Sequence, residues 1–390
     1  MKCELTVVKL KDLCIGGKGK YGIPASAVPY NKNLYAYLRI TDITDDGRMN
    51  KSALMSVDDK KAREFLLQPN DIVFARTGGS TGRNYFYDGT DGELVYAGFL
   101  IRFSIDPTCV NPKYVKYYCQ SKQYRDWVNS FNTGSTRGNI NAQTYANMNL
   151  PMPCRKQQDL LVNTLSVLDD KIELNNKIND NLQQQATALF ANFYDQAETE
   201  VGFTEIIQIL GGGTPKTGES SYWNGDIPFF TPKDVGLPYT LTTEKTITEE
   251  GLAHCNSRLY PINTVFVTAR GTVGKVGLPG VPMAMNQSCY ALVGKDTHQL
   301  LVYFYTLKAV DRLKHKASGA VFDTITTRDF ESEGIMKLSD ADAKAFLDIA
   351  APIYQKILSN SIENLWLATL RDALLPKLMS GEIDVSGIQL

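Results

Sequence analysis

Two stretches of this chain put together the residue types that bind phosphate oxygens and base edges. Arg76-Thr77-Gly78-Gly79-Ser80-Thr81-Gly82-Arg83 combines a free backbone, hydroxyls and two guanidiniums. Val267-Thr268-Ala269-Arg270-Gly271-Thr272-Val273-Gly274-Lys275 repeats that plan. Glycines let a ligand approach the backbone closely, and Ser/Thr hydroxyls with Arg or Lys donate to phosphates. Arginine can also grip guanine edgewise through two bonds. A tight hairpin with ordinary surface charge would carry the same letters, so one such loop alone decides nothing. The candidate polar contacts are Arg76, Thr77, Ser80 and Arg83 in the first loop, and Thr268, Arg270, Thr272 and Lys275 in the second. Arg137 and Asn139, in the Gly-centred stretch Gly134–Asn139, and Lys233, beside Asp234, complete the set.

The two loops are part of a longer internal repeat. Residues 37–83 match 229–275 at what reads as a constant offset of 192, with Asp42 on Asp234 and Asp71–Phe74 on Asn263–Phe266. Further along the offset is 185, pairing Gly134 with Gly319, Asn175 with Asn360 and Asn179 with Asn364. A period near half the chain is too long for a solenoid and means two copies of one module-plus-helix unit. The expected organisation is a first module over 1–155, a helix over 156–195, a second module over 196–338, a helix over 339–379 and a tail over 380–390.

Each module reads as mixed α/β. Short β-type runs (37–40, 71–75, 99–103, and 227–231, 264–268, 288–293) alternate with turn-rich loops. Asn111-Pro112 predicts a helix start, with Asn as cap and Pro in the first turn, running on to carry Lys116, Lys122 and Arg125. Its counterpart should begin near Asp296-Thr297. Each module leads into a helix with a heptad seam. The first seam runs Leu161, Leu165, Leu168, Ile172, Asn175, Asn179, Leu182, Ala186, Leu189; the second runs Phe346, Ala350, Ile353, Ile357, Asn360, Asn364, Leu367, Arg371, Leu374. Two asparagines at equivalent seam positions suit a pair of antiparallel helices whose register they fix; helices that each merely cover their own module, with the asparagines solvated, are the plainer alternative. Ser339 with Asp342 predicts a capping box, and Pro376 should kink or end the last turns near Leu375. At 1.5 Å per residue a seam of roughly 28 residues is about 42 Å long, against roughly 34 Å for one turn of B-DNA.

The chain has 390 residues and a net charge of −1, which alone argues against nucleic acid. Its distribution says more. Residues 1–155 carry 21 lysines and arginines against 14 carboxylates, whereas residues 196–338 carry 13 against 15, with a local cluster at Lys308, Arg312, Lys314, His315 and Lys316. Seven scattered cysteines without a CxxC pair suit a reduced, cytoplasmic protein, and three histidines without ligand spacing argue against a metal site. No apolar run approaches a membrane span. Enzyme motifs fail: Gly274-Lys275 lacks the Walker spacing, Gly17–Gly22 imitates a dinucleotide fingerprint only loosely, no nucleophile elbow occurs, and Asn111-Pro112-Lys113-Tyr114 is a helix start rather than a methyltransferase motif.

Tyr21-Gly22-Ile23-Pro24-Ala25-Ser26-Ala27, followed by Tyr37–Ile43 and Asp46-Gly47, resembles the first target-recognition domain of Type I restriction–modification specificity subunits. Gly212-Gly213-Thr214-Pro215-Lys216, then Tyr222-Trp223-Asn224-Gly225-Asp226-Ile227-Pro228-Phe229, resembles another common form of that domain, and the likeness covers essentially the whole chain. The resemblance implies a protein that does no chemistry. Each module would read half of a bipartite double-stranded DNA target separated by a nonspecific spacer. The helices, through Leu168, Ile172, Asn175, Asn179, Ile353, Ile357, Asn360 and Asn364, would pair, set the spacer and dock two methyltransferase subunits. The S-adenosylmethionine site would lie in those partners and no cofactor in this chain. A motor–nuclease subunit could join. Tyr222 and Trp223 are expected to brace the second module. The rival reading is a scaffold whose helices and modules hold protein partners.

Overall fold

A computed structural model describes residues 5–131, 138–236, 238–316, 324–380 and 382–383. It divides into two compact units, one formed by Met1–Asp170 with Ala368–Leu390 and the other by Lys171–Leu367. Both are mixed α/β.

In the first unit, four antiparallel strands lie in the order Lys20–Tyr21, Leu100–Ser104, Asp71–Ala75, Asn84–Tyr87. A second sheet runs Ala27–Pro29, Met55–Val57, Tyr35–Leu38, Leu94–Tyr96, the last pair parallel. Asp71–Ala75 is buried throughout, as its unbroken apolar run suggests. Side chains alternate across a strand, so Ile72 and Phe74 join the core beneath the helices while Val73 and Ala75 join the core shared with the second sheet. Thr6–Lys9 pairs with Asn149–Met152, and the latter strand leads into the first long helix.

The second unit repeats the plan. Ile207–Gly211, Cys289–Gly294, Val265–Thr268 and Val276–Pro279 form the antiparallel sheet, extended by a parallel pairing with Tyr239–Thr240. Lys245–Ile247, Trp223–Phe230 and Ala284–Met285 form the second sheet, again with one parallel pair. Thr199–Gly202 pairs with Gly334–Lys337.

The repeat holds, but its offset is not constant. Asp42 and Asp234 are equivalent: each carboxylate accepts the backbone N–H three residues earlier, at Arg39 (2.9 Å) and Thr231 (2.8 Å). In the central strand, however, the left-handed Asn70 corresponds to the left-handed Asn263, and Phe74 to Val267, an offset of 193. A one-residue slip turns every side chain to the opposite face, so the offset of 192 pairs core positions of one face with those of the other. The offset returns to 192 because the following loop is one residue shorter in the second unit. Gly82 N–H closes on Ala75 O in the first (2.9 Å), and Gly274 N–H on Thr268 O in the second (2.8 Å).

Several expected helix signals are met. Asn111 caps Pro112–Tyr118 through a bond from Lys113 N–H (3.1 Å). Ser339 caps the second long helix by accepting from Asp342 N–H (3.1 Å). Two expectations need correction. The helix carrying Lys116 and Arg125 is two helices, because Ser121 starts a new one, Lys122–Asn129, by accepting from Tyr124 N–H (3.2 Å); its counterpart, Gln299–Lys316, is continuous and starts at Gln299. Pro376 neither ends nor breaks the last helix, which runs on to Met379 with Ser380 N–H bonded to Pro376 O (3.0 Å). One lost N–H near a helix end costs little when Leu375, Leu378 and Met379 are buried in the core of the first unit.

The long helices span Arg155–Gln196 and Asp340–Met379. They run antiparallel within each unit. In the second, Asn360 Nδ2 donates to Asn179 Oδ1 (2.8 Å), while Asn175 Nδ2 donates to Asn364 Oδ1 (2.9 Å) and Glu363 (2.8 Å). In the first, Arg371, at the seam position after Leu367, is buried and donates to Asp169 (2.9 Å), which also accepts from Tyr117 Oη (2.9 Å). Burial raises the Asp169 pKa, but Lys116, Arg371 and Tyr117 together hold it below the usual carboxylate range. The rest of the seam is mixed: Ile172 and Ile357 are buried, Leu168 and Ile353 half-buried. Among the described residues no helix is long and apolar enough to cross a membrane, and no group of His, Cys, Asp and Glu could hold a metal ion.

Candidate nucleic-acid interface

The two Gly-rich loops, 76–83 and 267–275, follow equivalent strands and are fixed at equivalent backbone atoms. In the first unit Arg76 N–H donates to Phe99 O (3.1 Å) and Arg76 O accepts from Ile140 N–H (2.9 Å). In the second, Ala269 N–H donates to Ser288 O (2.8 Å) and Ala269 O accepts from Ile325 N–H (2.9 Å). Arg76 therefore corresponds to Ala269, not to Arg270. Thr77 bridges to Asn139, and Arg270 to Thr324.

The candidate side chains then separate by what they touch. Arg76 is half-buried, with its guanidinium 5.2 Å from the Tyr21 ring centre and 5.7 Å from that of Phe99. Its Nε is buried with no hydrogen-bond partner among the described residues. Arg83 is occupied, bonded to the exposed Asp45 (2.6 Å) and to Ile43 O (3.1 Å). Ser80 is buried and Thr77 half-buried. Thr268 is fully buried, its hydroxyl donating to Thr272 O and accepting from Lys275 N–H (2.9 Å). It is the clasp of its loop and faces no ligand. Thr272 is exposed, with its hydroxyl on Pro232 O (3.1 Å). Arg270, Lys275 and Asn139 are exposed, and Lys233 is exposed with Glu244 at 3.8 Å. Arg137 lies outside the described residues, as do Gly134 and Gly319.

The basic cluster of the second unit is largely occupied. Arg312 donates to Gly334 O (2.6 Å) and Tyr194 Oη (2.7 Å), Lys316 pairs with Glu333, and Lys308 sits 5.1 Å from the Tyr194 ring. Trp223 packs edge-on against Phe229 (5.5 Å) and donates to Lys216 O (3.2 Å), while Tyr222 stacks on His254 (5.0 Å); both brace their module.

Motif reading missed the surroundings of Arg76. An open depression of about 390 Å³ lined by Lys18, Tyr21, Asn141 and Gln143, among others, adjoins Tyr21. Tyr21 and Phe99 are 43% and 54% exposed. The usable signal would have been large aromatics at strand ends, where a side chain has nothing above it to pack on. The two family-like strings are also one device. Ile23 N–H bonds to Tyr96 O and Gly213 N–H to Met285 O, both at 3.1 Å, so Tyr21-Gly22-Ile23 and Gly211-Gly212-Gly213 occupy equivalent positions.

Two related α/β modules on one chain, each ending a buried strand in a loop closed by the same backbone bonds, define a twin-module recognition protein. A family model described as the Type I restriction modification DNA specificity domain matches residues 3–184 and again 199–337. Those matches take in most of the chain, which belongs to that family. It is similar to the Type I restriction enzyme HindI specificity subunit of Haemophilus influenzae, 23% identical over 81% of this chain and 87% of that one. It is 28% identical to the EcoR124I/EcoR124II specificity subunit of Escherichia coli over 46% of this chain and 48% of that one. A Type I restriction–modification S subunit from M. genitalium has the same fold, with a TM-score of 0.53 at 18% identity over 96% of each chain.

Proposed function

We propose that this Type I specificity subunit reads a bipartite double-stranded DNA target, one half-site per module, in the cytoplasm and without catalysing a reaction itself. The observation that carries the reading is that both modules hold the same loop at the same two backbone bonds, Arg76 to Phe99 and Ile140 and Ala269 to Ser288 and Ile325, while differing in the side chains displayed. A common scaffold with divergent display suits two readers of different sequence.

The helix pair sets the spacer between the half-sites and docks two methyltransferase subunits, which carry the S-adenosylmethionine site and supply the methyl group. A motor–nuclease subunit joins them in the restriction complex. The second long helix supports partner docking: Ile362 and Trp366, one turn apart, are 38% and 72% exposed. Exposed large apolar groups on one helix face favour a protein partner.

Genome-wide mapping of methylated bases in a host with and without this gene tests the proposal. A two-part motif with a fixed gap should vanish on deletion. Identical maps would overturn it.

A further inference from the structure

We propose that Tyr21, Arg76 and Phe99 form a guanine-reading site peculiar to the first module, and that the second module reads its half-site without one. The inference deepens the DNA-recognition reading above and rests on it.

The physical case starts with the arginine. Its backbone is fixed on both sides, by Phe99 O (3.1 Å) and Ile140 N–H (2.9 Å). Its guanidinium lies within cation–π reach of two rings. The Tyr21 ring is itself anchored, its hydroxyl accepting from Ala142 N–H (3.2 Å). Among the described residues no carboxylate pairs with Arg76, whereas Arg83, seven residues on, is held by Asp45. The buried Nε has no partner, and an orphaned buried donor calls for an explanation. A guanidinium held by rings rather than by a carboxylate keeps its charge and its remaining donors for a ligand. Guanidinium is planar and weakly hydrated, stacks on aromatic faces, and presents a rigid fork that matches guanine O6 and N7. Holding it in place before DNA arrives reduces the side-chain entropy lost on binding. Aromatic contact that locks an arginine's plane is wasted on a phosphate, which accepts donors from many directions, and is useful for a base edge, which does not.

The second module supplies the contrast. At the positions equivalent to Tyr21, Arg76 and Phe99 it has Gly211, Ala269 and Ser288. The backbone bonds are kept and all three side chains are cut away together. A residue serving the fold of the module would be needed in both copies. One that reads a base is needed only where that base occurs.

The test uses the full complex in its host, with methylated bases mapped for the wild-type chain and for Arg76→Ala, Arg76→Lys and Phe99→Ala. Arg76→Ala and Arg76→Lys should relax the motif at one G·C pair in one half-site, discrimination there falling by roughly 5- to 150-fold, with the other half-site unchanged. Phe99→Ala should relax the same position less. Lysine keeps the charge but not the fork, so it also answers the case in which the alanine variant fails to fold. An unaltered motif in both Arg76 variants overturns the inference while leaving the DNA reading intact. So does a uniform loss of methylation in Arg76→Ala that Arg76→Lys restores with the motif preserved, which is the signature of a phosphate contact. If the wild-type complex marks no bipartite motif, the DNA reading fails and this inference falls with it.

Discussion

At the scale of single residues, Gly22 and Gly212 show how closely the two modules share a device that their sequences disguise. A Cβ added to Gly22 would lie 2.2 Å from Ala97 O and 2.3 Å from Tyr96 O; at Gly212 it would lie 2.1 Å from Asn286 O and 2.6 Å from Met285 O. These atoms are backbone and cannot rotate away. Replacing either glycine with alanine should force the strand off its neighbour and destabilise the protein by about 1–3 kcal/mol or more, read as a lower urea midpoint. An unchanged midpoint in both variants would mean the two strands part without cost. The glycines were legible as motif letters, but the steric reason was not, since nothing near Gly22 in sequence names Ala97 as its neighbour. The same limit explains the one-residue slip in the repeat. Matching letters put Asp71 on Asn263, whereas the left-handed turn puts Asn70 there. It also explains why Thr268 reads as an exposed hydroxyl and is a buried clasp.

Between elements, the helix pair was the most legible feature, because a heptad seam announces its own partner. Less visible was how its polar positions are satisfied. Asn179 and Asn360 pair with each other, and Asn175 meets Asn364 and Glu363, with Lys171 Nζ 3.1 Å from the Asn175 oxygen. A network in which each amide has a partner makes single and double replacements behave differently. Asn360→Leu alone leaves the buried Asn179 amide without its donor and should cost about 1–3 kcal/mol. Asn179→Leu should do the same. The double variant replaces a paired polar contact by an apolar one and should recover most of that loss while fixing the register less firmly. Chemical denaturation of the three variants gives the coupling directly. Additive losses would show that the two side chains do not depend on each other. Arg371, at the seam position that follows Leu367, puts a charge among apolar residues. Its reason, a bridge to Asp169, which also accepts from Tyr117 inside the first unit, required the fold.

Over the whole molecule, bulk charge was the least reliable guide. The local basic cluster of the second module is mostly spent on Tyr194, Gly334 and Glu333, while one arginine in the first module stands among aromatic rings. Chain connectivity is the firmer basis for prediction at this scale. Each long helix begins in one compact unit and ends in the other, the divisions falling between Asp170 and Lys171 and between Leu367 and Ala368. A heptad inserted at both divisions keeps the seam nearly in phase, since seven residues are close to two turns. It adds about 10.5 Å of helix. With B-DNA rising about 3.4 Å per base pair, the preferred gap between half-sites should lengthen by up to about three base pairs, with both half-sites unchanged. A heptad inserted in one helix alone cannot satisfy both the Asn179–Asn360 and the Asp169–Arg371 pairs and should abolish modification. Mapped methylation sites distinguish these results, and an unaltered gap after the double insertion would mean that something other than the helix pair sets the distance.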